Sequence, residues 1–183
     1  MLPSISQVIL TFALAIAFVH FMHAGARTFV LPKDGGGPGA TIGQLAFTAG
    51  ALVSLFCGVY YHAGLINEIA AAVLMIIGVG LYEWARQTIV GRRFHVGFSD
   101  GVPEEVCADG PYAYVRHPIY LGYMITFLAL FVAYPKIPTA ILLALNVGAF
   151  AWMAVNDEKV LATSPLAADY EAYRKRVRRF FAV

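Results

Sequence analysis

The sequence predicts an all-α integral membrane protein, a bundle of five transmembrane helices in one domain over residues 1–183, and three observations carry that expectation. The chain is 60% hydrophobic and 13% charged, with a mean hydropathy of +0.69; the core of a soluble domain of this length does not need that balance. Five stretches approach the roughly 20 apolar residues that a spanning helix requires. Twelve of the thirteen Lys and Arg residues fall on one side of the topology that those stretches define.

The first stretch runs from Ile5 to Phe21. It has no basic leader before it and no clean small-residue cleavage site after it, so the expectation is a retained helix and not a removed signal peptide. His20 and His23 near its end share a helix face, but two ligands do not define a metal site and both read as interfacial. Leu31 to Gly39 is a run of turn formers that cannot hold a helix. The second and third stretches, Ile42 to Tyr61 and Asn67 to Trp84, are joined by the short turn Tyr61 to Gly64. The fourth and fifth, Ile119 to Tyr134 and Ile137 to Val155, are joined through Tyr134 to Pro138. Each of these two pairs is expected to form an antiparallel hairpin, and a proline at the start of the fifth helix costs nothing there. Gly50, Gly58, Gly78 and Gly80 fit close helix packing in lipid, where small residues let backbones approach. Cys57 and Cys107 fall near opposite membrane faces in this topology, too far apart for a disulfide.

The basic residues orient the bundle. Arg27, Lys33, Arg86, Arg92, Arg93, Arg116, Lys159, Arg174, Lys175, Arg176, Arg178 and Arg179 share one side, and the other has only Lys136. Positively charged loops stay in the cytoplasm, so the C-terminus is expected there and the N-terminus outside. The net charge of +2 gives no case for nucleic acid; the cations flank membrane helices and suit anionic lipid headgroups.

Two polar segments on that side are informative. The loop from Ala85 to Arg116 is too polar to span and too long for a mere connector. The tail from Lys159 to Val183 places Tyr170, Tyr173, Val177 and Phe180 at near-helical spacing beside a basic face, which predicts an amphipathic helix lying on the membrane or capping a site. Gly110-Pro-Tyr-Ala-Tyr-Val-Arg-His-Pro-Ile-Tyr-Leu-Gly122 leads into the fourth helix, and Asp157-Glu158 closes the fifth. Since the fourth begins where the fifth ends, the two motifs can share one site.

The chemistry of that site suits a charged, nucleotide-like ligand. Gly110-Pro111 permits a tight turn beside a ligand, and His117-Pro118 starts a helix whose free N–H groups favour an anionic group. Tyr112 and Tyr120 offer ring faces and hydroxyls. Asp157 and Glu158 supply acceptors for an ammonium or for ribose hydroxyls, and adjacent acids at a helix C-terminus are unfavourable unless something compensates.

The pattern Arg116-His-Pro-x-Tyr120-x-Gly122, followed by an acidic pair, resembles the isoprenylcysteine carboxyl methyltransferases and their prokaryotic relatives over about Trp84 to Phe180. Asp109-Gly-Pro-Tyr112, Leu161 and the Tyr170, Tyr173 tail belong to the same likeness. The resemblance implies a membrane methyltransferase with S-adenosylmethionine in a cytoplasmic pocket, formed by the half from about residue 84 to 183 and open sideways to a lipophilic or small acceptor in the bilayer. It further implies that Glu104, Glu105, Val106, Cys107, Tyr112, His117, Pro118, Ile119, Tyr120 and Glu158 contact the cofactor, beside Gly110 and Asp157. His117, Tyr120, Glu158 and Arg116 are the candidates for the chemistry, with no metal. Arg92 and Arg93 read as lipid-facing. Two departures stand out: Asp157 replaces the first glutamate of the pair, and Ala151 to Asn156 holds no cation where the eukaryotic members place a substrate arginine. A carboxylate or thiolate acceptor arrives already nucleophilic and needs no strong base, which suits this residue set.

Two alternatives remain at this level. Membrane sterol reductases, which use NADPH, have a similar His-Pro-x-Tyr segment and tyrosine-rich tail, and Arg174 to Arg179 could meet a 2′-phosphate. A scaffold or transporter subunit would need polar groups near the midplane, where only Asn146 stands.

Overall fold

A computed structural model describes residues 3–28, 38–90 and 105–180. Among these residues there are six α-helices and no strand: α1 (Ile5–Thr28), α2 (Pro38–Tyr60), α3 (Leu65–Ile89), α4 (Pro118–Ala133), α5 (Ile137–Ala162) and α6 (Ala167–Arg176), with a 3₁₀ turn at Gly110–Ala113. Four of them, α1, α2, α3 and α5, are long and apolar enough to cross a membrane. Their outward faces agree, since Ile9, Ile16, Leu52, Ile66, Ile76 and Leu145 are all more than half exposed and only lipid solvates such a surface without penalty. The chain is thus a helical membrane bundle. The fourth stretch differs from the other four: α4 has 16 residues, about 24 Å at 1.5 Å per residue. Pro118 sets its start, and the chain leaves the helix at Tyr134, just before Pro135.

Helix pairing follows small residues. The most extensive packing is between α3 and α4, where a Cβ on Gly78 would stand 2.8 Å from the Gly122 carbonyl and one on Gly122 equally close to the Gly78 carbonyl. Only hydrogen fits at either position. The next most extensive joins α1 and α2, with Gly50 on the Phe18 ring and Gly58 on the Thr11 side chain. Gly80 faces open space and serves no contact. The expected hairpin of α4 with α5 is present. The expected hairpin of α2 with α3 is not: despite their short connection the two barely touch, because α2 lies along α1 and α3 lies along α4.

The halves interlock through aromatic rings. Phe18 of α1 meets Phe127 of α4 at 4.6 Å, Phe21 of α1 meets Tyr82 of α3 at 4.7 Å, and Phe47 of α2 meets Tyr123 of α4 at 4.7 Å. Lipid tails are as apolar as the rings, so cohesion here comes from packing and quadrupole contacts more than from exclusion of water. At the end bearing Lys136, polar groups secure the helix termini. Buried Gln7 donates to the Gly58 and Tyr61 carbonyls (3.1 and 2.7 Å), and Asn67 donates to the Val132 carbonyl (2.9 Å). The hydroxyls of Thr11 and Tyr134 bond at 2.7 Å. Such carbonyls find no water inside a bilayer and need protein partners. Cys57 and Cys107 are both free and buried.

Candidate functional site

The opposite end of the bundle is where α1 and α3 finish, α4 begins, α5 finishes and α6 packs. Gly110 opens the local structure with φ +54°, a left-handed conformation that a side chain resists, and a Cβ there would lie 2.6 Å from the Thr88 hydroxyl. The 3₁₀ turn closes with the Tyr112 amide on the Asp109 carbonyl (3.0 Å) and the Tyr114 amide on the Pro111 carbonyl (3.1 Å). The chain then runs extended beside the tail. The amides of Arg116 and His117 donate to the carbonyls of Arg178 and Arg179 at 2.8 and 3.2 Å, with a parallel bridge between Val115 and Arg178. Pro118 follows as the first residue of α4, where its missing N–H costs nothing.

Glu158, on the last turns of α5 and 7% exposed, is the centre of the site. Arg116 donates to its Oε1 from Nε (3.2 Å) and Nη2 (3.0 Å). Arg179 approaches side-on, with Nε to Oε1 and Nη2 to Oε2, both 2.8 Å. His117 Nε2 lies 3.2 Å from Oε1. Paired guanidinium bonds of this kind are among the stronger ones available to a protein, and the bond to Glu158 raises the Arg179 pKa further above its usual range. The remaining nitrogen of Arg116, Nη1, donates to the carbonyls of Arg174 (3.2 Å) and Val177 (2.9 Å) and so caps the end of α6.

Beside this cluster the Tyr120 hydroxyl donates to Asp157 Oδ2 at 2.8 Å. The rings of His117 and Tyr120 stack 5.5 Å apart and 5° from parallel, and Tyr120 continues onto Phe150 at 5.7 Å. Phe180, from the tail, lies 6.0 Å from His117. Behind them Tyr170, Tyr173 and Val177 form a small buried cluster with Val106 and Leu161, and the Tyr173 hydroxyl donates to the Tyr112 carbonyl at 2.7 Å. Burial pushes Tyr170 to about 12 and raises Tyr112 and Tyr173 as well, so all three remain neutral phenols. The tail therefore packs on the site through its tyrosines, although α6 itself is too uniformly polar to be the amphipathic helix expected from the sequence.

The structure brings Arg116, His117, Tyr120, Asp157 and Glu158 into one bonded and stacked group. Pro118 and Ile119 are buried in the first turn of α4. Val106 packs on the α6 cluster, Cys107 is buried nearby in the same loop, and Glu105 is exposed. Glu104, Arg92 and Arg93 lie outside the described residues. His20 bonds to Glu83 at 2.6 Å, and Glu83 in turn takes a two-point bond from Arg86, so this group belongs to the α1–α3 contact. Arg179 and Phe180 are site residues that the sequence reading missed as such. The signal was the acidic pair, which called for compensating charge without saying where it would come from.

The phospholipid methyltransferase family model matches residues 66–164, more than half of the chain and all of α4 and α5. The chain belongs to this family. Phospholipid methyltransferases are grouped with the isoprenylcysteine carboxyl methyltransferases that the Arg116 to Gly122 motif resembles. The matched region begins within α3 and takes in Arg116, His117, Tyr120, Asp157 and Glu158, while α1, α2 and α6 lie outside it. The protein is accordingly a membrane methyltransferase of this family. No curated protein and no solved structure matches the chain.

Proposed function

We propose that this phospholipid methyltransferase family member transfers a methyl group from S-adenosylmethionine, bound at the cytoplasmic end of the bundle, to a lipophilic or small acceptor bearing a carboxylate or thiol. One observation carries the reading: the motif before α4 and the acidic pair of α5, 41 residues apart at His117 and Glu158, meet in one hydrogen-bonded cluster. The residues fit the cofactor's chemistry. Asp157 and Glu158 are acceptors for an ammonium or ribose hydroxyls, the stacked faces of His117, Tyr120 and Phe150 suit an adenine or a sulfonium, and the Gly110 turn lets backbone approach closely. Bound there, the cofactor supplies an electrophilic methyl on sulfur. The protein's part is to align the acceptor and exclude water, which together supply many orders of magnitude in rate.

The proton balance supports this acceptor class. The family's description names a phospholipid, and an amine headgroup is the second reading; an ammonium must lose a proton before it attacks. His117 Nε2 faces Glu158, and Glu158 already holds two guanidinium groups, so neither is set up as a dedicated base. A carboxylate or thiolate arrives ready to react. In this reading α4 is a fifth crossing, since it runs from the site to Tyr134, which bonds Thr11 at the other end.

The test is calorimetric titration of detergent-purified protein with S-adenosylhomocysteine, with NADPH alongside, on wild type and on Glu158→Ala. Binding of the first ligand alone, lost in the variant, is expected. Binding of NADPH instead would move the protein to reductase chemistry. A panel of lipophilic carboxylates, thiols and amines, assayed for methyl incorporation, then decides the acceptor.

A further inference from the structure

We infer that Arg179 is a positioning residue of this site: it clasps Glu158 to the tail, and the clasp holds Phe180 against His117 and completes the wall around the bound cofactor. The cofactor part of this inference rests on the function proposed above; the clasp itself does not.

Residue 179 is fastened twice. Its guanidinium takes both oxygens of Glu158 at 2.8 Å, while its carbonyl accepts the His117 amide at 3.2 Å. Arg116 fastens the same strap from the other side, its amide on the Arg178 carbonyl and its guanidinium shared between Glu158 and the end of α6. One carboxylate therefore ties α5, the tail and the approach to α4 together. Oε1 of Glu158 faces four nitrogens, Nε and Nη2 of Arg116, Nε2 of His117 and Nε of Arg179. An oxygen with two lone pairs has nothing left to offer a ligand. Oε1 of Glu158 thus belongs to the strap, while Oε2, which takes one bond from Arg179, and Asp157, bonded at Oδ2 by Tyr120, keep acceptor sites for the cofactor. Arg116, His117 and Glu158 lie within the matched family region and Arg179 and Phe180 beyond it.

The experiment compares full-length wild type with Arg179→Ala, Arg179→Lys and Lys175→Ala, the last removing a tail cation that pairs with Glu171 at the surface. Two readouts are taken: hydrogen exchange of the segment containing the Arg116 and His117 amides, and S-adenosylhomocysteine affinity. Arg179→Ala should speed exchange and weaken affinity by about ten- to a hundredfold, the loss of charge-assisted bonds. Lysine keeps the charge but not the two-point fork, so Arg179→Lys should recover part of both, and Lys175→Ala should change neither. Wild-type exchange in Arg179→Ala, or equal effects from Lys175→Ala, would overturn the clasp. If wild type failed to bind the ligand, the cofactor reading would fall, and exchange alone would still decide the clasp.

Discussion

Removing the Glu158 carboxylate would leave the guanidinium groups of Arg116 and Arg179 facing each other with no anion between them. Arg116 and Glu158 have side chains only 10% and 8% exposed, whereas Arg179 is 39% exposed and partly screened. Breaking a buried pair from one side is costly, so Glu158→Ala should lose about 3 kcal/mol of stability, with Glu158→Gln intermediate because it keeps an acceptor. Denaturant unfolding in detergent measures this, and an unchanged midpoint for Glu158→Ala would remove Glu158 from the centre of the site. The sequence made the acidic pair legible as a place needing compensation, because adjacent acids at a helix end repel. It could not say which of Arg174, Lys175, Arg176, Arg178 and Arg179 turns inward. That is decided by the extended pairing of the tail with Val115 to His117, in which successive side chains point to opposite sides: Arg178 outward, Arg179 toward Glu158.

Among the elements, α3 and α4 depend on the Gly78–Gly122 crossing. An alanine at Gly78 would press on the Gly122 carbonyl at 2.8 Å and on Thr126, neither of which is a flexible tip, so Gly78→Ala should cost about 1–3 kcal/mol. Gly80→Ala, two residues away in open space, should be neutral or more stable by about 0.5–1 kcal/mol, since alanine is the better helix former. Equal unfolding midpoints for the two variants would mean that the crossing is not a tight contact. The glycines marked close packing in the sequence, but spacing alone did not separate Gly78 from Gly80, which lie on different faces of α3. The absent α2–α3 contact was hidden for a similar reason. A short turn fixes that two helices are antiparallel; which neighbour each one lies against is set by shape, here by Phe18 fitting over Gly50 and by Gly78 meeting Gly122.

At the scale of the whole molecule, alternate helix ends collect at two poles, one with Lys136 beside Tyr61, the other with Glu158 and its cations. The five-crossing arrangement proposed above predicts that Lys136→Cys reacts with an impermeant maleimide in intact cells, and Lys175→Cys only after permeabilisation. The native cysteines are buried and give little background. Reaction of both variants from the same side would overturn the arrangement. The meeting of the two motifs was legible in the sequence because the helix after the first motif begins at the end where the helix bearing the acidic pair finishes. The Gly78–Gly122 crossing also sets the mechanics of α4. Gly122 lies four residues from Pro118 and eleven from Ala133, about 6 and 16 Å along the axis at 1.5 Å per residue. Where the two backbones meet, α4 has a fulcrum, with a short arm to the Glu158 cluster and a long arm to the Tyr134 end. A tilt of the Ala133 end about that point would reach Pro118, at the edge of the cluster, reduced to about a third.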